Sequence, residues 1–210
     1  EIMPSLVGSE MCIRDRFLLD GDIKSIEPYG EGHINHTFLV TTDKRRYILQ
    51  KMNTDVFKDP YALMKNVCAV TEYLSSIGKE TLTVIYTKDG KPFLEGDICY
   101  RVYLFIENTV TYQSVSDAVV FKNSGRAFGD FQNCLADFNA SVLTETIEKF
   151  HDTPDRFRKF KEALDKDVMG RAKDCIPEIK FFLSHAETYS RVTTGLENGT
   201  IPLRVTHNDT

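Results

Sequence analysis

The chain has 210 residues and a net charge of −5, enough to bury a sizeable core as one domain or as two compact lobes. No basic stripe runs along it, which makes a nucleic-acid backbone a poor partner; a small anionic ligand would be met locally, by a metal or by backbone amides. No run reaches the ~18 apolar residues of a membrane span, and no secretory signal is visible.

The cysteines (Cys12, Cys68, Cys99, Cys134 and Cys175) lack C-x-x-C spacing and read as reduced, buried thiols, which points to the cytoplasm. Residues 1–16, "EIMPSLVGSEMCIRDR", show no helical or strand period. They are expected to stand outside the fold, as a non-native or disordered leader. From Ile23 to Gln50 the pattern is of short strands and turns: "IKSIEPY", then "GEGHINH", then "TFLVTT" and "RYILQKM" around Asp43-Lys44 as a hairpin. A helix is predicted over Asp59 to Ile77. Asp59 caps it, Pro60 fits its first position, Leu63, Val67, Val70, Leu74 and Ile77 share a face, and Gly78 ends it. "TLTVIYT" and "PFLEG" around Asp89-Gly90 read as a second hairpin. "ICYRVYLFI", rich in β-branched and aromatic residues, reads as an interior strand.

After Asn108 the texture turns helical. Residues 116–138 carry Phe121, Phe128, Phe131, Leu135 and Phe138 at near-helical spacing. Pro154 to Val168 follows with Thr153 as its expected cap, then Pro177 to Tyr189, a "GLENGT" turn and a short "IPLRV" strand. The expectation is an α+β chain: a β-rich lobe over 17–107 and a helical lobe over 108–210.

Three places carry chemistry. Gly30-Glu31-Gly32-His33-Ile34-Asn35 lies between two strands, where the glycines would allow a sharp turn whose amides can receive phosphate oxygens. A plain hairpin turn is the competing reading. It is neither a Walker loop nor a dinucleotide fingerprint, because no G-x-x-x-x-G-K-[ST] is present and a strand rather than a helix follows. Gln50 and Lys51 end a strand, and alternation allows one of them to face a cleft. His36 reads as a surface residue. Last, Asp209 follows a strand end beside His207 and Asn208, where a carboxylate can act as a general base. A sulfatase is excluded, since Cys175-Ile176-Pro177 lacks the arginine that C/S-x-P-x-R requires.

The stretches "YGEGHINHTFLV", "YILQKMN", "VFKDPYALMKNV", "GRAFGDFQ", "ETIEKFHDTPDRF" and "THNDT" resemble those of the N-acetylhexosamine 1-kinases. These belong to the aminoglycoside/choline phosphotransferase superfamily of kinase-like folds. The resemblance implies a bilobal, protein-kinase-like fold with the small lobe complete and the helical lobe truncated. It implies ATP-dependent phosphorylation of the anomeric hydroxyl of an N-acetylhexosamine, by in-line transfer without a phosphoenzyme. Gly30, Gly32, His33, Ile34, Asn35 and Gln50 would meet the nucleotide, although relatives place a lysine or arginine where Gln50 stands. Tyr103, Phe105 and Glu107 would lie at the hinge. Asp209 would be the base, supported by His207 and Asn208, with no metal ligand in this chain. ATP and Mg2+ would be the cofactors, the Mg2+ ligands falling beyond residue 210, so that this fragment would be inactive. Partners would be the sugar and ATP, with neither nucleic acid nor membrane, and the intact protein would be monomeric. Another acceptor (an aminoglycoside, choline, homoserine or a different sugar) and a non-catalytic kinase-shaped binding module are the alternatives.

Overall fold

The computed structural model describes residues 13, 15–30, 32, 34–112, 114–115 and 117–207. The chain divides into two compact units, the first running to Ile147 and the second starting at Glu148. The change of texture after Asn108 therefore falls inside the first unit.

The first unit is α+β, as expected. Its five strands are β1 (Ile23–Pro28), β2 (His36–Thr42), β3 (Arg46–Lys51), β4 (Val84–Ile85) and β5 (Tyr100–Leu104), in the order β1-β2-β3-β5-β4. All neighbours are antiparallel. The β2–β3 hairpin turns where the Thr42 hydroxyl accepts the amides of Lys44 (3.2 Å) and Arg45 (2.9 Å). On one face of the sheet Val40, Tyr47, Leu49 and Val102 pack with Ile26 and with Ile13 and Phe17. Ile13 is only 2% exposed, so the fold takes in a residue expected outside it.

The opposite face carries Thr37, Ile48, Gln50, Arg101 and Tyr103, the other parity of the same strands. Helix α1 (Pro60–Ser76) connects β3 to β4, and its Met64 forms a second core with Met52, Phe93 and Cys99. The helix starts as its sequence dictates: Asp59 Oδ1 accepts the amide of Ala62 at 2.9 Å and Pro60 opens the first turn. It ends where Gly78 adopts φ +72, which glycine tolerates without the Cβ clash. Met64 and Leu74 are its buried residues. Ile77, expected on the apolar stripe, lies past the last helical residue and is exposed.

The expected hairpin of "TLTVIYT" with "PFLEG" does not form. The Asp89-Gly90 turn is made, with Gly90 at φ +78 and the Thr87 amide donating to Lys91 O at 2.8 Å. Pro92, which has no N–H, then stops the ladder. Only Val84–Ile85 remains as strand and pairs with β5, while Leu94 bridges Tyr100 instead.

Helix α2 (Ala118–Cys134) is capped by Asp117, whose side chain accepts the amide of Val119 at 2.8 Å. On the Phe128, Phe131 and Leu135 stripe, Leu135 is buried and both phenylalanines are half-buried. Phe138 sets its edge on Tyr73 of α1 at 5.2 Å. Asn66 of α1 also grips the backbone of Thr144, accepting its amide at 2.9 Å and donating to its carbonyl at 2.6 Å.

The second unit holds α3 (Thr153–Lys166), α4 (Ile176–Ser184) and α5 (Arg191–Glu197). Asp152, not Thr153, caps α3, because its carboxylate accepts the Asp155 amide at 2.8 Å while Thr153 is already helical. Phe157 meets Tyr189 at 4.9 Å and Phe160 meets Phe182 at 5.6 Å. "GLENGT" is not all turn: Gly195 to Glu197 close α5, and the chain turns at Asn198-Gly199. "IPLRV" forms no strand among the described residues.

Candidate functional site

The turn between β1 and β2 is closed by the Tyr29 amide donating to Thr37 O at 2.9 Å. Gly30 sits at φ +74, where a side chain would strain the backbone although the space beside it is empty. Gly32 and Ile34 are exposed. Asn35 Oδ1 accepts the amide of Asn53 at 3.0 Å and ties the turn to the segment after β3. His33 lies outside the described residues. His36 is exposed, as its sequence position suggested.

At this same end of the sheet, register aligns Thr37 of β2, Gln50 of β3 and Arg101 of β5 in one row. Gln50 Nε2 donates to Thr37 Oγ1 at 3.1 Å, and Arg101 Nε donates to Gln50 Oε1 at 3.0 Å. The guanidinium then reaches α1, with Nη1 at 3.8 Å from Met64 Sδ, and lies 5.3 Å from the centre of the Tyr103 ring. Alternation puts Lys51 on the other face, in the row of His36 and Tyr100. The question left by the sequence thus closes: Gln50 faces the helix side and Lys51 does not. Glu72, the one carboxylate of α1, accepts from the Tyr86 hydroxyl at 3.2 Å and, among the described residues, forms no ion pair with a basic residue of the sheet.

Beyond β5, Phe105 donates its amide to Arg46 O at 3.0 Å, and the Arg46 guanidinium lies 4.1 Å from the Phe105 ring centre. Arg46 also ion-pairs with Glu107, with Nε at 3.0 Å from Oε1. That bond holds the Glu107 carboxyl below its ordinary range. Tyr29, just before the glycine turn, sets its ring edge-on to Phe105 at 5.9 Å. Tyr103, expected near the hinge, lies inside β5; it pairs with Ile48 and Val84 and is 5% exposed. Phe105 and Glu107 are the expected hinge residues that do lie past the strand.

His207 is exposed in the second unit, and Asn208 and Asp209 lie outside the described residues. Among the described residues no group of three or more His, Cys, Asp or Glu side chains is gathered to hold a metal ion. No described helix is long and apolar enough to cross a membrane.

A hollow of the first unit, of about 440 Å³, is lined by Cys68, Thr71, Glu72 and Tyr86 among others, and by neither the glycine turn nor Gln50. The Tyr86 hydroxyl is pushed up to about 12, first by its hydrogen bond to Cys68, and burial raises the Cys68 thiol. Both groups are therefore neutral at neutral pH, and Cys68 offers no thiolate nucleophile. The described cysteines are free, as expected; Cys99 is buried, Cys68 and Cys134 are half-buried, and Cys175 is exposed.

Thr37 and Arg46 were absent from the residues read as functional in the sequence, and Arg101 entered only as the start of the stretch, Arg101 to Glu107, expected to approach the hinge. A signal for Arg101 was present: one charged residue in the middle of the apolar run "ICYRVYLFI".

No family model matches the chain. Among solved structures, it is similar to a spectinomycin phosphotransferase crystallised with ADP and spectinomycin, at 13% identity and a TM-score of 0.42, over 82% of this chain and 58% of that one. It is also similar to a protein from Ralstonia eutropha JMP134 assigned to the aminoglycoside phosphotransferases, at 15% identity and a TM-score of 0.43, over 83% of this chain and 53% of that one. The chain spans little more than half the length of either structure.

Proposed function

We propose that this chain belongs to an ATP-dependent small-molecule phosphotransferase whose acceptor is the anomeric hydroxyl of an N-acetylhexosamine. The observation that carries the reading is the glycine turn between β1 and β2, opening beside a polar row that ends in a cation. Phosphoryl transfer demands little covalent chemistry from a protein and much positioning and charge stabilisation. In kinases that work begins with a glycine-rich turn over the phosphates and a third-strand residue beneath it. Gly30, Gly32, Ile34 and Asn35 lying between β1 and β2, with Gln50 on β3, support this reading. The rings of Tyr29 and Phe105, with Arg46, supply an aromatic and cationic surface suited to a purine.

In the proposed reaction the anomeric oxygen of the sugar attacks the γ-phosphorus in line. The new bond is O1–Pγ, the bond broken joins Pγ to the β,γ-bridging oxygen, and the hydroxyl proton passes to Asp209. ADP leaves. The choice of an N-acetylhexosamine rests on the sequence resemblance in "GRAFGDFQ" and "FHDTPDRF".

The test is phosphorus NMR of the product of the complete reading frame with ATP and, in turn, N-acetylglucosamine, N-acetylgalactosamine, choline, homoserine and an aminoglycoside. The reading predicts a sugar 1-phosphate and ADP with the N-acetylhexosamines. Asp209→Asn should lower kcat by ~10²-fold or more. Transfer to a non-sugar acceptor alone would replace the substrate assignment, and no transfer to any of them would contradict the phosphotransferase reading.

A further inference from the structure

The kinase arrangement places a lysine on the third strand and pairs it with a glutamate on the following helix. That pair is not formed here. Gln50 stands on β3, Lys51 turns to the other face, and Glu72 of α1 is engaged with Tyr86. The charge on this face comes instead from Arg101, one strand over. We propose that Arg101 is the phosphate-binding cation of this site, held in place by Gln50, so that the charge comes from β5 rather than β3. The inference rests on the nucleotide reading given above.

The argument is one of incomplete satisfaction. Arg101 is partly buried, and a guanidinium taken from water needs a carboxylate or several good acceptors around it. Among the described residues no carboxylate pairs with it. Its acceptors among the described residues are one amide oxygen, Gln50 Oε1, and one thioether, Met64 Sδ, which accepts only weakly. The Tyr103 ring at 5.3 Å steadies the guanidinium plane without neutralising it. The remaining N–H groups form the planar fork that suits phosphate oxygens in pairs.

The direction is fixed by the row in which Arg101 stands. Gln50 takes the Nε donor at 3.0 Å and passes the chain of hydrogen bonds on to Thr37 at 3.1 Å. Thr37 is in turn the residue whose carbonyl closes the glycine turn, through the Tyr29 amide at 2.9 Å. Thr37 therefore joins the two, meeting the proposed phosphate-covering turn through its carbonyl and the row leading to the cation through its hydroxyl. Gln50 acts as a positioning residue in that row, and a lysine at position 50 would compete with Arg101 for the same space and charge.

The experiment is calorimetric titration of the chain with ATP and, separately, with adenosine, without added metal. Wild type should bind ATP more tightly than adenosine. Arg101→Met should lose ~10- to 100-fold in ATP affinity, the value of one charge-assisted contact, with adenosine affinity unchanged within about twofold. Gln50→Lys added to Arg101→Met should recover most of the loss, because it returns a cation to the third strand. Gln50→Glu leaves the arginine in place and nearly preserves shape; it should also weaken ATP selectively, since a carboxylate would then neutralise the guanidinium. This variant keeps the proposal open to refutation if Arg101→Met fails to fold, as circular dichroism would reveal. Undiminished ATP binding by Arg101→Met or Gln50→Glu would overturn the proposal. So would equal affinity of wild type for ATP and adenosine, which leaves the nucleotide reading standing. Binding of neither ligand would overturn that reading and this proposal together.

Discussion

Asp155 lies in the stretch "FHDTPDRF" that carries part of the sequence resemblance, and its surroundings are structural. Its carboxylate is nearly buried, with Lys159 Nζ and Arg158 Nη2 each at 2.7 Å. These bonds, that to Lys159 first, lower its pKa from the ordinary 3.8 to about 2. A depressed carboxyl stabilises the fold above the unfolded value, and that contribution is lost as pH falls through the folded one. The second unit should therefore lose stability between about pH 4 and pH 2, followed by thermal melting in acid, and Asp155→Asn should flatten that part of the profile. The sequence marked this residue through resemblance alone; i, i+3 and i, i+4 spacing to Arg158 and Lys159 was the physical signal. Arg101 is the reverse case. Its charge inside an apolar strand was visible, but its partners come from β3 and α1, dozens of residues away, and no local pattern links them.

Elements with self-contained start and stop signals were legible. Helix α1 shows this best, because Asp59, Pro60 and Gly78 each act on the backbone beside them. Asp59→Ala should cost ~1 kcal/mol by loss of its cap, read as a shifted midpoint in urea denaturation. Met64→Ala removes a side chain with no exposure and should cost ~2–5 kcal/mol. It should also leave Arg101 without its neighbour on the helix. Elements that depend on distant pairing were harder. The run "TLTVIYT" has strong strand character, yet its neighbour is set by β5 and the Asp89-Gly90 turn is followed by a proline, so only Val84–Ile85 joins the sheet. "IPLRV" has the right residue types and no strand to pair with among the described residues. The cap of α3 moved by one residue for a simple reason: Asp152 can reach the Asp155 amide, and Asp is as good a cap as Thr.

For the molecule as a whole, the α+β class followed from the order of β-rich and helical segments, while the boundary between units did not follow from composition. Helix α2 looks like the start of a second lobe but belongs to the first unit, in which Asn66 binds Thr144 and Phe138 packs on Tyr73. The nucleotide-binding part of the proposed function depends on one surface of that unit, the sheet face with the glycine turn, Gln50 and Arg101. Hydrogen–deuterium exchange with and without ATP tests this most directly. The account predicts slower exchange over residues 29–37, 46–51 and 100–107 when ATP is added. Protection confined to the hollow lined by Cys68, Thr71 and Tyr86, or no protection anywhere in the first unit, would contradict it.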